Sequence, residues 1–292
     1  MEAKAVRKSG RLRFKTSRSE QKSRTRKLLL VFAAAFAAVA TLSVAVTLGG
    51  KSGFFRLFEQ RESTAPSTME TSAEPVKLSG SADILLYCYE PAGERLVFAA
   101  AAHADADDGS VTVLALDPSA AVVSEGRKES YAAHFARGGS RSLALAAEKA
   151  LGLRFDRYAG STGAGFRTIV NSFGGLKITV KEALHYKSED FLLVLSPGET
   201  VLKGDTLLKY FKYCALGGAE GANTAGDLIT AMIGSFLPKA AKGDALERFT
   251  SAINNMESDI SIVDFKNCSD YIVSRGADIR VKAVRSAAEL KP

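Results

Sequence analysis

Residues 28–49, LLLVFAAAFAAVATLSVAVTLG, run for 22 residues without a charged side chain. As a helix this stretch is about 33 Å long, enough to cross the hydrocarbon core of a bilayer. Its flank sets the orientation. Residues 1–27 hold 11 of the chain's 39 Lys and Arg, against only Glu2 and Glu20 among the acids. A basic segment ahead of a single span stays in the cytoplasm, so the rest of the chain faces outward. A cleaved signal peptide is the competing reading, because Ala38-Val39-Ala40 resembles a cleavage site. The run exceeds the roughly 7–15 apolar residues of a signal-peptide core, which favours a retained anchor in the cell membrane.

The same tail explains the charge. The chain carries a formal net charge of +7, but outside residues 1–27 it has 28 basic and 30 acidic residues. The folded part is therefore slightly acidic, and a nucleic-acid partner is excluded as the reason for the basicity. Three cysteines, Cys88, Cys214 and Cys268, cannot all pair within the chain, and their spacing fits no zinc motif. His103, His134 and His185 are isolated and make no metal pattern. Residues 50–79 are rich in Ser, Thr, Glu and Pro and poor in large apolar residues, which reads as a flexible stalk. One folded domain follows, from about 80 to 286.

Within it, DILLYCY (83–89), RLVFAAAA (95–102) and SVTVLAL (110–116) read as strands, the last two joined through an Asp108-Gly109 hairpin signal. The intervening Asp105, Asp107 and Gly109 resemble a calcium loop only faintly, since the twelfth position is Leu116 rather than Glu. Apolar spacing predicts helices over 140–153, 165–175, 224–237 and 245–256. GSTGAG (160–165) reads as a connection and lacks the Lys-Ser/Thr of a phosphate loop. LKITV (176–180) alternates as a strand. DTLLKYFKYC (205–214) reads as a helical turn passing into a strand, with Tyr210, Lys212 and Cys214 on one face. Strands interleaved with helices predict an α/β fold, a sheet with helices packed on it.

Five segments in order resemble the LytR-CpsA-Psr family of membrane-anchored cell-envelope proteins. They are FARGG (135–139) with LGLRFDRY (151–158), GFRTIVNSFGGLKITV (165–180), LSPGETVLKGDTLLKYFKYC (195–214), and SDISIVDF (258–265), the last similar to a segment of the family's final helices. The resemblance implies an α-β-α domain with a central mixed sheet. It implies that this domain holds a polyprenyl-pyrophosphate lipid, with the pyrophosphate met by arginines and acids and often by Mg²⁺. It further implies transfer of a lipid-linked glycan onto peptidoglycan.

Against that pattern the grip residues are changed. Where the family has Gly-x-Asp-x-Arg, this chain has CYEPA (88–92), with Glu90 at the acid and Ala92 at the arginine. Glu94-Arg95 stands for Asp-Thr, and Pro118 and Ser119 stand for Arg and Asp. Tyr-x-Arg-x-Arg becomes Tyr210, Lys212 and Cys214, and Arg-x-x-Arg-Gln becomes Asn223, Gly226 and Asp227. By this alignment Lys212, Tyr210, Cys214, Pro118, Ser119 and Asn223 line the pyrophosphate pocket, and Glu90 and Glu94 are the candidate cation ligands. Cys88 and Cys214 would both border that pocket, which leaves a disulfide between them open.

Lysine is a point charge without the planar fork of arginine. Each lost charge-assisted contact costs about 1.5–3 kcal/mol, so the expectation is a lipid- or glycan-binding protein without efficient catalysis, acting alone or beside an active family paralogue. A working phosphotransferase and a purely structural or interaction ectodomain are the alternatives.

Overall fold

The computed structural model describes residues 80–290 except 93, 241–244, 261–270 and 272–277, with backbone alone at 245–248. The basic tail, the apolar run, the stalk and Cys268 lie outside the described residues. Among the described residues, no helix is long and apolar enough to cross a membrane.

The core is a meander of β1 (Ser81–Glu90), β2 (Arg95–Asp105) and β3 (Ser110–Leu116), antiparallel throughout. β1 is buried on both faces from Ala82 to Cys88, so its sequence is a continuous apolar run rather than an alternating one. A register shift between Cys88 and Tyr89 marks a bulge near its end. Asp105 Oδ1 accepts from the amides of Asp107 and Asp108, which tightens the β2–β3 turn.

A hairpin of β4 (Ala121–Ser124) and β5 (Arg127–Ser130) leads into α1 (Tyr131–Leu151). Ser130 Oγ caps α1 at the amide of Ala133, and Gly152, at φ +66°, ends it. The expected helix at 140–153 thus starts nine residues earlier. Gly138 and Gly139 fall inside it as a kink with non-helical dihedrals.

β6 (Arg157–Thr162) returns parallel to β1 and passes without a loop into α2 (Gly163–Ser172), capped by Thr162. The stretch 160–165, expected to be a connection, is therefore the end of a strand and the start of a helix. Its glycines are required by close packing: a Cβ on Gly160 would lie 2.0 Å from the Tyr87 ring, and one on Gly165 2.3 Å from the Asn255 carbonyl.

Next comes a two-part ribbon. β7 (Leu176–Val180), β8 (Leu184–Lys187), β9 (Leu192–Leu195) and β10 (Gly198–Leu202) pair as β7 with β10 and β8 with β9, leaving residues 188–191 at the tip.

α3 (Gly204–Cys214) overturns one expectation. The whole segment is helical, including Tyr210–Cys214, with Leu207, Leu208, Phe211 and Cys214 on its buried side. Their spacing of one, three and three residues is a helical stripe, and packing against the sheet outweighs the strand preference of Tyr and Phe. α4 (Gly218–Ala240) and α5 (Ala245–Ile253) follow. β11 (Glu257–Ser258) adds to β6, so Ser258 is in an edge strand rather than a final helix. β12 (Arg280–Ala283) adds in parallel to β3.

The sheet order is β11-β6-β1-β2-β3-β12, a mixed six-stranded sheet. On one face α1 covers Leu85, Tyr87 and Ala99 through Phe135, Leu143 and Ala147. On the other, α2 to α5 cover Ile84, Leu86, Cys88, Phe98 and Ala100. The result is the expected α-β-α sandwich. Leu290 is buried with Ala101, Leu114 and Val284, beyond residue 286.

Candidate functional site

The C-terminal ends of β1, β3 and β6 and the start of β2 meet at one end of the sheet, because β1 and β6 are parallel while β2 is antiparallel to β1 and β3. α2 begins there, and so does α4, whose Gly218 faces Asp117. The last turn of α3 brings Lys212 to the same end.

Here Glu90 is the hub. One carboxylate oxygen pairs with Lys212 Nζ, and the other accepts from Arg95 Nη2 at 2.8 Å. Arg95 turns its second nitrogen to Asp190, at the ribbon tip, at 2.7 Å. The chain Asp190–Arg95–Glu90–Lys212 alternates sign and sums to zero. Burial pushes the Glu90 carboxyl up, but the Lys212 and Arg95 contacts outweigh it and hold the group below the usual carboxylate range. The Asp190 carboxyl is likewise lowered by Arg95.

The Lys212 ammonium also stands 5.9 Å from the Phe191 ring. Phe191 packs on Tyr186, and Tyr186 on Tyr213, with ring centroids 5.3 and 5.2 Å apart. A cleft of about 140 Å³ opens between Arg95, Lys212, Asp190, Tyr186, Phe191 and Leu216. One wall is apolar and the other is the ion chain.

The structure gathers only part of the expected set. Lys212 and Glu90 are brought together. Tyr210 is half-buried beside Tyr213, and burial raises its phenol. Cys214 is 3% exposed, in the core under α3 rather than in the cleft. Pro118 and Ser119 form a turn whose groups are already used. The Pro118 carbonyl accepts from the Ala132 amide, and Ser119 donates through its amide and hydroxyl to Asp117. The Asn223 carbonyl accepts from Arg285. Glu94 is exposed in the β1–β2 turn, at φ +46°.

Of the two candidate cation ligands, only Glu90 is engaged by the ion chain. Both Glu90 oxygens are held by cations, Arg95 and Lys212, while Glu94 stands exposed in the β1–β2 turn. Among the described residues no cluster of three or more His, Cys, Asp or Glu could hold a metal. Cys88 and Cys214 are free and buried, which removes the disulfide left open by the sequence. Burial pushes each thiol up to about 12, so neither is a nucleophile at neutral pH.

Three residues were not legible as site residues. Arg95 stood at a position aligned with threonine, and Asp190 belongs to a ribbon tip with no motif of its own. Arg285 reaches back from beyond β12 to α4, where it meets both Asp227 oxygens at 2.7 and 2.8 Å. Gly226, where the family pattern has arginine, leaves room for it: a Cβ there would lie 3.6 Å from Arg285 Nη1.

The fold and this site define a mixed α/β domain with an ionic cleft at the strand ends. The LytR_cpsA_psr family model matches residues 104–220. Solved structures agree on the fold. A Streptococcus agalactiae protein, gbs0355, shares 16% identity at a TM-score of 0.59, over 70% of this chain and 76% of its own. TagV of B. subtilis shares 18% at 0.56, over 70% and 85%. The LytR-CPS2A-psr family protein YwtF (TagT), with bound octaprenyl pyrophosphate lipid, shares 17% at 0.50, over 74% and 80%. No curated protein matches the chain in sequence. Over residues 104–220 the chain is thus similar to the LytR_cpsA_psr family, and its fold is shared with these structures.

Proposed function

We propose that this protein is a membrane-anchored, outward-facing envelope protein whose domain binds a polyprenyl-phosphate lipid or its glycan without efficient transfer chemistry. The observation that carries the reading is the ion chain Asp190–Arg95–Glu90–Lys212. A pyrophosphate needs several uncommitted cations to stabilise charge as its bond breaks. Here Arg95 and Lys212 are matched one for one by carboxylates, and the positions that would add guanidinium are Ala92, Pro118, Cys214, Asn223 and Gly226. Arg285 is spent on Asp227 in the same way. A lipid phosphate can exchange for Asp190 at Arg95, which supports binding, but little cationic charge is left for a transition state. Octaprenyl pyrophosphate bound in the YwtF (TagT) structure, which shares this fold, supports a polyprenyl lipid as the ligand.

Full-length protein in detergent, given undecaprenyl phosphate, tests this by native mass spectrometry. Retained lipid that is reduced by Lys212→Ala supports the reading. Absence of lipid binding contradicts it and favours a structural or interaction domain.

A further inference from the structure

The ribbon has two unlike faces. Paired residues share a face, so the β8–β9 register puts Leu184, Tyr186, Leu193 and Leu195 on one side and His185, Lys187, Leu192 and Val194 on the other. The first side packs into the core on the sheet face opposite α1. The second is open: Leu192 and Val194 are 49% and 53% exposed, at positions that a solvated ribbon fills with polar residues. A basic residue stands directly across the ribbon from each, Lys187 opposite Leu192 and His185 opposite Val194. The β7–β10 part repeats the arrangement, with Lys177 opposite the exposed Val201.

Area and composition decide what such a face meets. Four residues of two strands cover roughly 14 Å by 10 Å, far below the ~800 Å² per partner of a stable protein interface. The face also has none of the Trp, Tyr or Arg that anchor such interfaces, and lysine is depleted from them. Aliphatic side chains that enter a headgroup layer, beside lysines that reach its phosphates, are instead the composition of a surface lying on a bilayer. The nearby acids, Glu189 and Asp190, stand at the tip rather than on this face, and Asp190 is held by Arg95. Leu216, 64% exposed, shares the ion cleft with the tip residues Ser188 and Phe191 and adds a further aliphatic there.

Two aliphatic side chains hold a free protein on a membrane only weakly, but a tethered domain needs little more. β1 begins at the end of the sheet away from the ion cleft, a strand length of about 33 Å. Residues 50–79 reach at most about 100 Å, enough for the ribbon to turn back to the bilayer. Such a tether holds the domain at an effective concentration of about millimolar.

We infer that the outer face of β8–β9 rests on the phospholipid surface, with Leu192 and Val194 among the headgroups and Lys187 on their phosphates, so that the ion cleft opens at the bilayer. This contact is additional to the apolar run at 28–49 and rests on the anchored, outward-facing reading given above.

The sequence contains no tryptophan, so a single introduced Trp reports its own surroundings. Full-length Leu192→Trp, Val194→Trp and Leu145→Trp, the last at an exposed position of α1 on the other side of the sheet, are reconstituted in phosphatidylglycerol–phosphatidylcholine vesicles with and without brominated acyl chains. Bromine quenching and blue-shifted emission are expected at 192 and 194 and not at 145. Adding Lys187→Glu should cut the quenching about twofold. Undecaprenyl phosphate binding is read separately by native mass spectrometry in detergent, where no bilayer is present. No quenching at 192 and 194, or equal quenching at 145, overturns the inference whether or not undecaprenyl phosphate binds. A blue shift without quenching means that protein rather than lipid covers the face, and overturns it too. Site-selective quenching without undecaprenyl phosphate binding supports the docking face and overturns the ligand reading alone.

Discussion

Asp190 holds the Arg95 guanidinium at 2.7 Å, from a ribbon tip 95 residues away in sequence. A carboxylate thus sits where a phosphate oxygen would meet that arginine, and the ribbon that carries it closes one side of the cleft.

Removing this competitor should open the cation. Asp190→Asn is expected to raise affinity for an anionic lipid headgroup about threefold, a modest gain because the contact is exposed to solvent. Flotation with vesicles containing undecaprenyl phosphate, at fixed salt, reads it. Unchanged or weaker binding would mean that Asp190 shapes the cleft rather than occupying it.

Acid should loosen the same cluster. The Glu90 carboxyl is lowered in the fold by Lys212 and Arg95 against the opposing effect of burial. Its stabilising contribution is therefore complete above the ordinary carboxylate value of about 4.3 and is lost as pH falls through the lower folded value. Glu90→Gln should lower the melting temperature by about 2–4 °C at pH 7, for a loss near 1 kcal/mol. The two melting curves should converge below about pH 4. A constant gap down to pH 2 would contradict the assignment.

Cys214→Arg restores the family pattern on paper, yet the structure predicts damage. The side chain is in the core beneath α3, and an unpaired guanidinium there costs about 3–5 kcal/mol. Denaturant unfolding should show a large fall in midpoint, with no gain in phosphate binding. For the same reason Cys88 and Cys214 should resist iodoacetamide at pH 8 in the native protein and react once it is unfolded. Peptide mass mapping distinguishes them from Cys268.

Gly221 should be equally intolerant. A Cβ there would lie 1.8 Å from the Cys214 carbonyl oxygen, at the turn that sets α4 against α3. Gly221→Ala is expected to cost about 1–3 kcal/mol, and a neutral result would show that the turn can relax.

The sheet was legible because β1 to β3 carry long apolar runs and a Gly turn, signals local in sequence. The site was legible in part. Glu90 and Lys212 lie within family motifs, but their pairing with Arg95 and Asp190 depends on where the ribbon tip falls, which no local pattern encodes. Tyr210–Cys214 misled because Tyr-Phe-Lys-Tyr carries strand propensity. The stripe Leu207, Leu208, Phe211, Cys214 was the helical signal available. Arg285 was out of reach for another reason: its partners Asn223 and Asp227 are about 60 residues away in sequence and are brought to it by the β3–β12 pairing and the packing of α4 on both strands.

An ion chain that leaves a binding site with little transfer chemistry makes a direct kinetic prediction. Its most direct measurement is the release of polyprenyl phosphate from a lipid-linked glycan donor by full-length protein in detergent, with peptidoglycan present. Donor should be bound and retained with no turnover above the protein-free control. Multiple turnovers abolished by Lys212→Ala would contradict it.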